Sequence, residues 1–416
     1  MNTTGPTELL RPGPPPVRDT VERWQNWVAT RTTFVPTPRL TLAGWRHLSP
    51  KDKALHDLHR AVTHANLPLL QTPMSLAVTK RLRGRVQSNA VKQKPTTLSG
   101  LIITGGGYQG KTETACECLA TFEEDWLALH RYLNPQAVPG ARDLHVPVAY
   151  VQTPVTAKPK SLCKAILPFY GAEVNPRLDL PDLIRQVALS LREHGTKALL
   201  LDDITRLRMH RADDQGTLDL IRAFMSMNVT LILVGVNIHS TGLLREGRPD
   251  PRTGQVAFPP SRHKLVHGEE ATQTERRFDV VELDRFRYDT DAQIMAWADH
   301  LADVEGHLRL LKAEPGMLTS GTMPEYLYER TAGVVGLLER LVEDGCQEAI
   351  SSGAEYLTES LLDGIPINLG SADSRDLGAG KISDIPGLKA PPKSSSRNRP
   401  RNTVLDDQGP AAGTGS

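Results

Sequence analysis

From Leu98 onward the chain alternates short apolar runs with longer amphipathic stretches. The runs are Leu101-Ile102-Ile103, Pro147-Val148-Ala149-Tyr150-Val151, Ala198-Leu199-Leu200-Leu201 and Leu231-Ile232-Leu233-Val234, with Val280-Val281-Glu282-Leu283 a weaker fifth. Short runs that are apolar throughout, rather than at every second position, predict strands buried on both faces. Helical spacing between them predicts a parallel α/β layer structure. After about Thr290 the strand signal stops, and residues 292–301 and 334–350 carry helical spacing, which predicts a small all-helical domain. Upstream, Ser49-Pro50-Lys51-Asp52 reads as a helix start: a capping Ser, Pro at the first helical position and an acid in the first turn. Trp24, Trp27 and Trp45 precede it with hydrophobic neighbours and read as packing anchors.

The length of 416 residues suits two to four units at about 100–200 residues each. Hydrophobic residues at 39% and charged residues at 23% are ordinary for a globular chain with a real core. The ends differ. Residues 1–18 are rich in Pro and Gly, and the stretch from about Gly370 is dominated by Gly, Ser, Pro, Asp, Lys and Arg, so neither has the apolar content to offset the entropy of ordering. The expected organisation is a disordered N-terminus (1–18), an N-terminal helical extension (19–95), an α/β core (96–288), a helical domain (289–368) and a disordered basic tail (369–416).

Lys plus Arg number 49 against 48 Asp plus Glu, so the net charge of +1 does not mark a nucleic-acid binder, and any such surface must come from local segregation. Two acid-free basic runs exist. Lys80, Arg81, Arg83, Arg85, Lys92 and Lys94 precede the first strand, and Lys389, Lys393, Arg397, Arg399 and Arg401 lie in the tail. Each fits a solvated surface or a contact with phosphate, DNA or, for the tail, an acidic partner. Four scattered cysteines, Cys116, Cys118, Cys163 and Cys346, make neither a disulfide framework nor a zinc site and fit a reducing cytoplasm. His56, His59 and His64 lack an acid or Cys to complete a metal site and read as packed or solvated. No apolar stretch approaches the roughly 20 residues of a membrane helix, and no signal-peptide core opens the sequence, so the expected location is cytoplasmic, without a membrane.

The candidate chemistry begins at Gly105-Gly106-Gly107-Tyr108-Gln109-Gly110-Lys111-Thr112, which matches G-x4-G-K-[ST], with Glu113 following. Glycines let the backbone curl so that successive N–H groups face phosphates, and the following helix, expected from Thr112 to about Leu129, adds its positive end. Lys111 then reaches the β- and γ-phosphates and the Thr112 hydroxyl coordinates Mg²⁺. The strand Ala198–Leu201 ends in Asp202-Asp203, placing one acid to hold Mg²⁺ and a second to orient attacking water. Two exposed acids capping the next helix are the plainer alternative. Val234-Gly235-Val236-Asn237 ends the fourth run with an amide that could reach the same crevice, or simply turn the chain. Arg276 and Arg277 precede the fifth run, as an arginine finger for a neighbouring subunit's nucleotide or as a salt-bridge pair.

In this order the residues resemble the AAA+ ATPases. More narrowly they are similar to the TniB-type transposition proteins, relatives of TnsC, MuB and IstB, on the strength of VPVAYVQTPVTAKPKSLCKAIL (146–167), ERRFDVVELDRF (275–286) and ERTAGVVGLLERLVEDGCQEAI (329–350). The resemblance covers about residues 20–365. It implies a P-loop three-layer sandwich with a parallel five-stranded sheet and a C-terminal helical lid. It also implies ATP and Mg²⁺ as cofactors, with Gly105 to Glu113 as nucleotide contacts. Lys111 and Thr112 become the Walker A contacts, Asp202 and Asp203 the Walker B pair, Asn237 sensor 1, and Arg277 the finger with Arg276 as fallback. Three features depart from the pattern: Asp203 stands where Glu is usual, Gly333-Val334-Val335-Gly336 replaces the sensor-2 Gly-x-x-Arg, and residues 245–268 form a longer Pro- and Arg-rich excursion. The implied function is ATP-dependent regulation of DNA transposition, with duplex DNA, a transposase or integrase, and further copies of the chain as partners. A helicase loader, a defence-system ATPase, and a nucleotide-gated scaffold with little turnover are the alternatives.

Overall fold

The computed structural model describes residues 17–94, 96–136, 145–155, 158–175, 177–206, 215–238, 248–249, 256–257 and 275–369. The expected disordered ends, apart from residues 17, 18 and 369, and most of the 245–268 excursion lie outside the described residues.

The five apolar runs form one sheet. Its strands are β1 (Gly100–Thr104), β2 (Val148–Gln152), β3 (Ala198–Asp202), β4 (Thr230–Val234) and, after a two-residue ribbon β5 (Arg248–Pro249) and β6 (Val256–Ala257), β7 (Phe278–Glu282). The order is β2-β3-β4-β1-β7, and every pairing is parallel. β1, β3 and β4 are buried along their whole length, as their unbroken apolar character requires, whereas edge strands β2 and β7 are partly open. The weakest apolar run is therefore an edge.

Helices form the outer layers. Helix α4 (Pro73–Ala90) begins with a capping box between Thr72 and Ser75 and with Pro73 in its first turn. Its Val78, Leu82 and Val86 recur every four residues and are fully buried, at about 2 kcal/mol apiece. It packs beside α5 (Lys111–Leu133), which runs four residues past the expected Leu129. On the other side of the sheet α6 (Pro159–Phe169), α7 (Leu180–Glu193) and α8 (Gln215–Met225) pack together. The result is the expected three-layer P-loop fold.

The C-terminal helices α9 (Asp291–His307), α10 (Met323–Thr331), α11 (Val335–Ser351) and α12 (Glu359–Asp363) enclose a second core around Trp297, Leu301, Leu327, Leu338 and Leu341. The N-terminal helices divide between the two cores. Helix α1 (Val21–Thr30) lies on the sheet side, where fully buried Trp24 donates its indole N–H to Glu123 at 3.1 Å. Beyond α2 (Leu42–Arg46), α3 (Pro50–Ala65) starts at the expected Ser49 cap and packs against α11. Its buried Arg60 grips Glu355 at 2.6 and 3.0 Å and Asp57 at 2.6 Å. Residues 31–49 and 66–72 thus pass between the core and the C-terminal helices.

All four cysteines are buried and unpaired. His56 and His59 bond to backbone carbonyls, His64 accepts from the Arg309 N–H, and no group of metal-ligating side chains occurs among the described residues. Nor is any described helix long and apolar enough to cross a membrane.

Candidate functional site

β1 ends at Thr104, the loop occupies residues 105–110, and α5 begins at Lys111. Two conformations require the sequence found there. Gly105 has φ of 151° and Gly110, the residue capping α5, has φ of 74°, both in the region that favours glycine. Tyr108 also has positive φ, at 57°, without being glycine, and the residue is 69% exposed. Gln109 folds back over Gly105 and Gly106, and its Oε1 is buried with no hydrogen-bond partner among the described residues. The glycine conformations at 105 and 110 give this segment the curled form that a phosphate-binding loop requires.

Lys111 is buried, and its Nζ donates to the Gly106 carbonyl at the loop's centre. Burial pushes its ammonium below the ordinary lysine range, while the carboxylates of Asp202 and Asp203 pull it back up. The Thr112 hydroxyl donates to both oxygens of Asp202, at 3.0 and 3.1 Å. Asp202 accepts twice more, from the Tyr150 hydroxyl at 2.9 Å and from the Asp203 N–H at 2.9 Å. A hydroxyl and a carboxylate meeting beside a phosphate cradle are hard oxygen donors of the kind Mg²⁺ takes when it also binds phosphate. The residues present fit that ion.

Asp203 follows directly with φ of 53°, a left-handed turn that stops β3. Its carboxylate accepts from the Thr205 hydroxyl at 3.2 Å. Across the sheet, the chain leaving β4 is fastened to the exit of β1: Asn237 N–H donates to Gly105 O at 3.1 Å and Ile238 N–H to Thr104 Oγ1 at 2.9 Å. The Asn237 side chain is exposed at this rim. Lys111, Thr112, Asp202, Asp203 and Asn237 therefore gather at one end of the sheet, where parallel α/β folds bind ligands.

The helical region closes on the same loop. Gly336, in the first turn of α11, donates its N–H to Tyr108 O at 2.8 Å. A β-carbon added to Gly336 would stand 2.7 Å from that oxygen.

A family profile described as an AAA domain (AAA_22) matches residues 97–244, the stretch from the start of β1 past Asn237. That stretch of the chain is similar to an AAA domain. Among solved structures it is similar to the Aeropyrum pernix ORC2 protein in ADPNP–ADP complexes, at 15% identity over 71% of this chain and 68% of that one, TM-score 0.45. It is similar also to the Aeropyrum pernix ORC1 protein in complex with DNA, at 16% identity over 73% and 68%, TM-score 0.45. A third is Cdc6p from Pyrobaculum aerophilum, at 13% identity over 73% and 74%, TM-score 0.41. No curated protein matches the sequence.

The two arginines preceding β7 lie beyond the matched stretch and stand apart from the cradle. Arg276 and Arg277 occupy a short turn, Glu275–Arg277, and Phe278 is in register with Gly100 at the start of β1. The length of β1, five residues at about 3.3 Å each, separates them from their own P-loop. The backbone at 276 and 277 therefore lies at the opposite end of β1 from the P-loop.

Three neighbours of the cradle carry no motif signal. Arg18 forks onto Glu113 at 3.0 and 2.6 Å while its guanidinium lies 4.1 Å over the Trp27 ring, so the segment entering α1 is clamped to the first turn of α5. Tyr150, on edge strand β2, stacks near-parallel on Trp24 at 6.3 Å and holds Asp202 through its hydroxyl. Glu339, one turn beyond Gly336, is half-buried with no ion pair among the described residues. Burial and the carboxylates of Glu113 and Glu343 push its carboxyl upward. This part of α11 therefore carries an acidic side chain near the P-loop contact. Only Glu113, through its place beside Thr112, offered a sequence signal.

Proposed function

We propose that this chain is an ATP-dependent, DNA-binding regulator of transposition, in which nucleotide state governs assembly of further copies on duplex DNA. The observation that carries the nucleotide reading is the meeting of Thr112 and Asp202 at 3.0 Å beside buried Lys111. In this reading the N–H groups of Gly106 to Thr112 hold the phosphates, and Lys111 leaves the Gly106 carbonyl for the β- and γ-oxygens. Thr112 and Asp202 hold Mg²⁺, which when bound offsets charge on the terminal phosphates. Tyr150 keeps the Asp202 carboxylate oriented. Asp203 accepts a proton from, or orients, the attacking water, and its short side chain holds that water less closely than a glutamate would. Asn237 approaches the terminal phosphate from the β4 side.

Arg277, with Arg276 as fallback, completes the site of the next subunit in this reading, which is supported by their place at the far end of β1 from their own P-loop. Assembly and turnover are then coupled: a subunit that hydrolyses its nucleotide loses the charge its neighbour's arginine was holding. The transposition reading rests on the similarity of residues 146–167, 275–286 and 329–350 to the TniB-type proteins, and it brings a transposase or integrase as the recruited partner. DNA contact in this reading is to phosphates and is therefore salt-sensitive and tolerant of sequence.

Electron microscopy of the purified protein on duplex DNA with ATP, ADP or no nucleotide tests the scheme. Ordered assemblies are expected with ATP alone, and they should be absent for Lys111→Ala. Undiminished assemblies by that variant would refute nucleotide control. An Arg277→Ala variant should bind ATP normally yet lose DNA-stimulated turnover.

A further inference from the structure

The basic run before β1 forms something other than a uniformly solvated face. On α4, Ala77, Lys80, Arg81, Gly84 and Ser88 recur at helical spacing along one side, and they form one wall of a cleft of about 970 Å³ whose other wall is β7. The small residues at 77, 84 and 88 make the room, and Gly84 has open space where a side chain would be. Arg83 and Arg85 are committed elsewhere, to Asp125 at 2.7 Å and to Asp279. Lys80 and Arg81 are exposed and make no ion pair among the described residues. Against these two cations the cleft offers one uncommitted acid, Glu282, so it is net positive. Lys92 and Lys94, also exposed, lie just past the end of α4.

β7 is the edge of the sheet. Leu283 donates its N–H to Thr104 O at 2.8 Å, so the alternating residues Val281 and Asp279 also turn their backbone groups toward β1. The N–H and C=O groups of Phe278, Val280 and Glu282 consequently face outward, and no further strand pairs with that edge among the described residues. An unpaired edge is a template for another strand, and natural proteins cover or blunt it unless it is used.

We propose that this cleft is a docking site for an acidic peptide of a partner protein, which adds to β7 in extended form as a sixth strand. Main-chain hydrogen bonds to the outward groups of β7 supply affinity, and Lys80 and Arg81 select carboxylates on the peptide. The recess favours a single extended chain over a duplex, because readers of duplex DNA project an element into its grooves, whereas these cations line a hollow. The site lies along the edge strand, not at the P-loop, and does not depend on the nucleotide reading.

Fluorescence anisotropy on the full chain tests this with three labelled probes: a peptide of about nine residues alternating Glu and Val, its Lys-for-Glu counterpart, and a short DNA duplex. The length spans the five residues of β7 with roughly two to spare at each end. The acidic probe should bind at least tenfold more tightly than the basic one. Lys80→Glu with Arg81→Glu should abolish that preference, and the milder Lys80→Gln with Arg81→Gln should reduce it. Val280→Pro removes an outward N–H that the sheet does not use, and should weaken the acidic probe at least tenfold. MgATP affinity, measured in parallel, should be unchanged in all three variants. Equal binding of the two peptides, no binding of the acidic one, or indifference to the Gln variant would overturn the proposal. Loss of duplex binding in place of peptide binding would reassign the cleft to nucleic acid.

Discussion

Gly336→Ala probes the contact between the lid and the P-loop. The new β-carbon would lie 2.7 Å from the Tyr108 carbonyl oxygen. That oxygen is backbone, fixed in a loop already at positive φ, so it has little freedom to move aside. Relief requires α11 to shift, and the shift breaks the Gly336 N–H bond to the same oxygen. Losing the hydrogen bond costs about 1 kcal/mol, and crowding of a packed contact about 1–3 kcal/mol. Together they move the balance between docked and undocked lid by about 2–4 kcal/mol, which is roughly 30-fold or more. If nucleotide selects the docked arrangement, apparent affinity falls in proportion to the docked fraction. The expected outcome is at least a tenfold rise in the Kd of a fluorescent ATP analogue, with the far-ultraviolet circular dichroism of the wild type. Affinity within twofold of wild type would show that the lid contact plays no part in binding nucleotide.

Glu355→Gln should strand the Arg60 guanidinium, whose side chain is 1% exposed, and destabilise the fold by about 3 kcal/mol even with Asp57 still in place; thermal unfolding measures it, and Arg60→Met in the same background should recover part of the loss. Burial holds the His64 and His300 imidazoles down to about 4, with Arg60 and Arg309 adding to the effect at His64. Folded values below the unfolded value mean that the unfolded chain binds more protons between about pH 6.5 and 4, so this contribution is intact above pH 6.5 and is lost as pH falls through that window. His300→Leu should remove up to about 3 kcal/mol of that acid sensitivity, read as the difference between wild-type and variant denaturation at pH 7 and 4.5. The difference isolates the histidine from Glu123, whose buried carboxyl is pushed up to about 7 and acts in the opposite sense. Asp203→Glu should raise steady-state ATP turnover several-fold and Asp203→Asn should lower it, both without change in ATP affinity.

The strands were legible because parallel strands covered on both faces leave unbroken apolar runs; the faintest run, 280–283, is faint because β7 is an open edge. The P-loop was legible because its backbone conformation demands glycine at fixed spacing, and Asp202 because it terminates a buried strand. What stayed hidden depends on contacts remote in sequence. Arg18 reads as the end of a Pro- and Gly-rich segment, yet it holds Glu113, 95 positions away. Tyr150 reads as one more apolar strand residue, and only the pairing of β2 with β3 sets its hydroxyl on Asp202. Gly336 reads as a missing arginine, whereas its role here is close approach to the P-loop. The division of the N-terminal helices between two cores leaves no mark in composition, since α1 and α3 are both ordinary amphipathic helices.

In the proposed function Lys111, Thr112 and Asp202 form a working Mg²⁺-nucleotide site. Isothermal titration of MgATP into the full chain addresses it without reference to DNA, partner or turnover. One nucleotide per chain is expected, with binding lost in Lys111→Ala and weakened in Asp202→Ala only when Mg²⁺ is present. Absence of binding by the folded wild type, or equal binding by Lys111→Ala, would contradict the account.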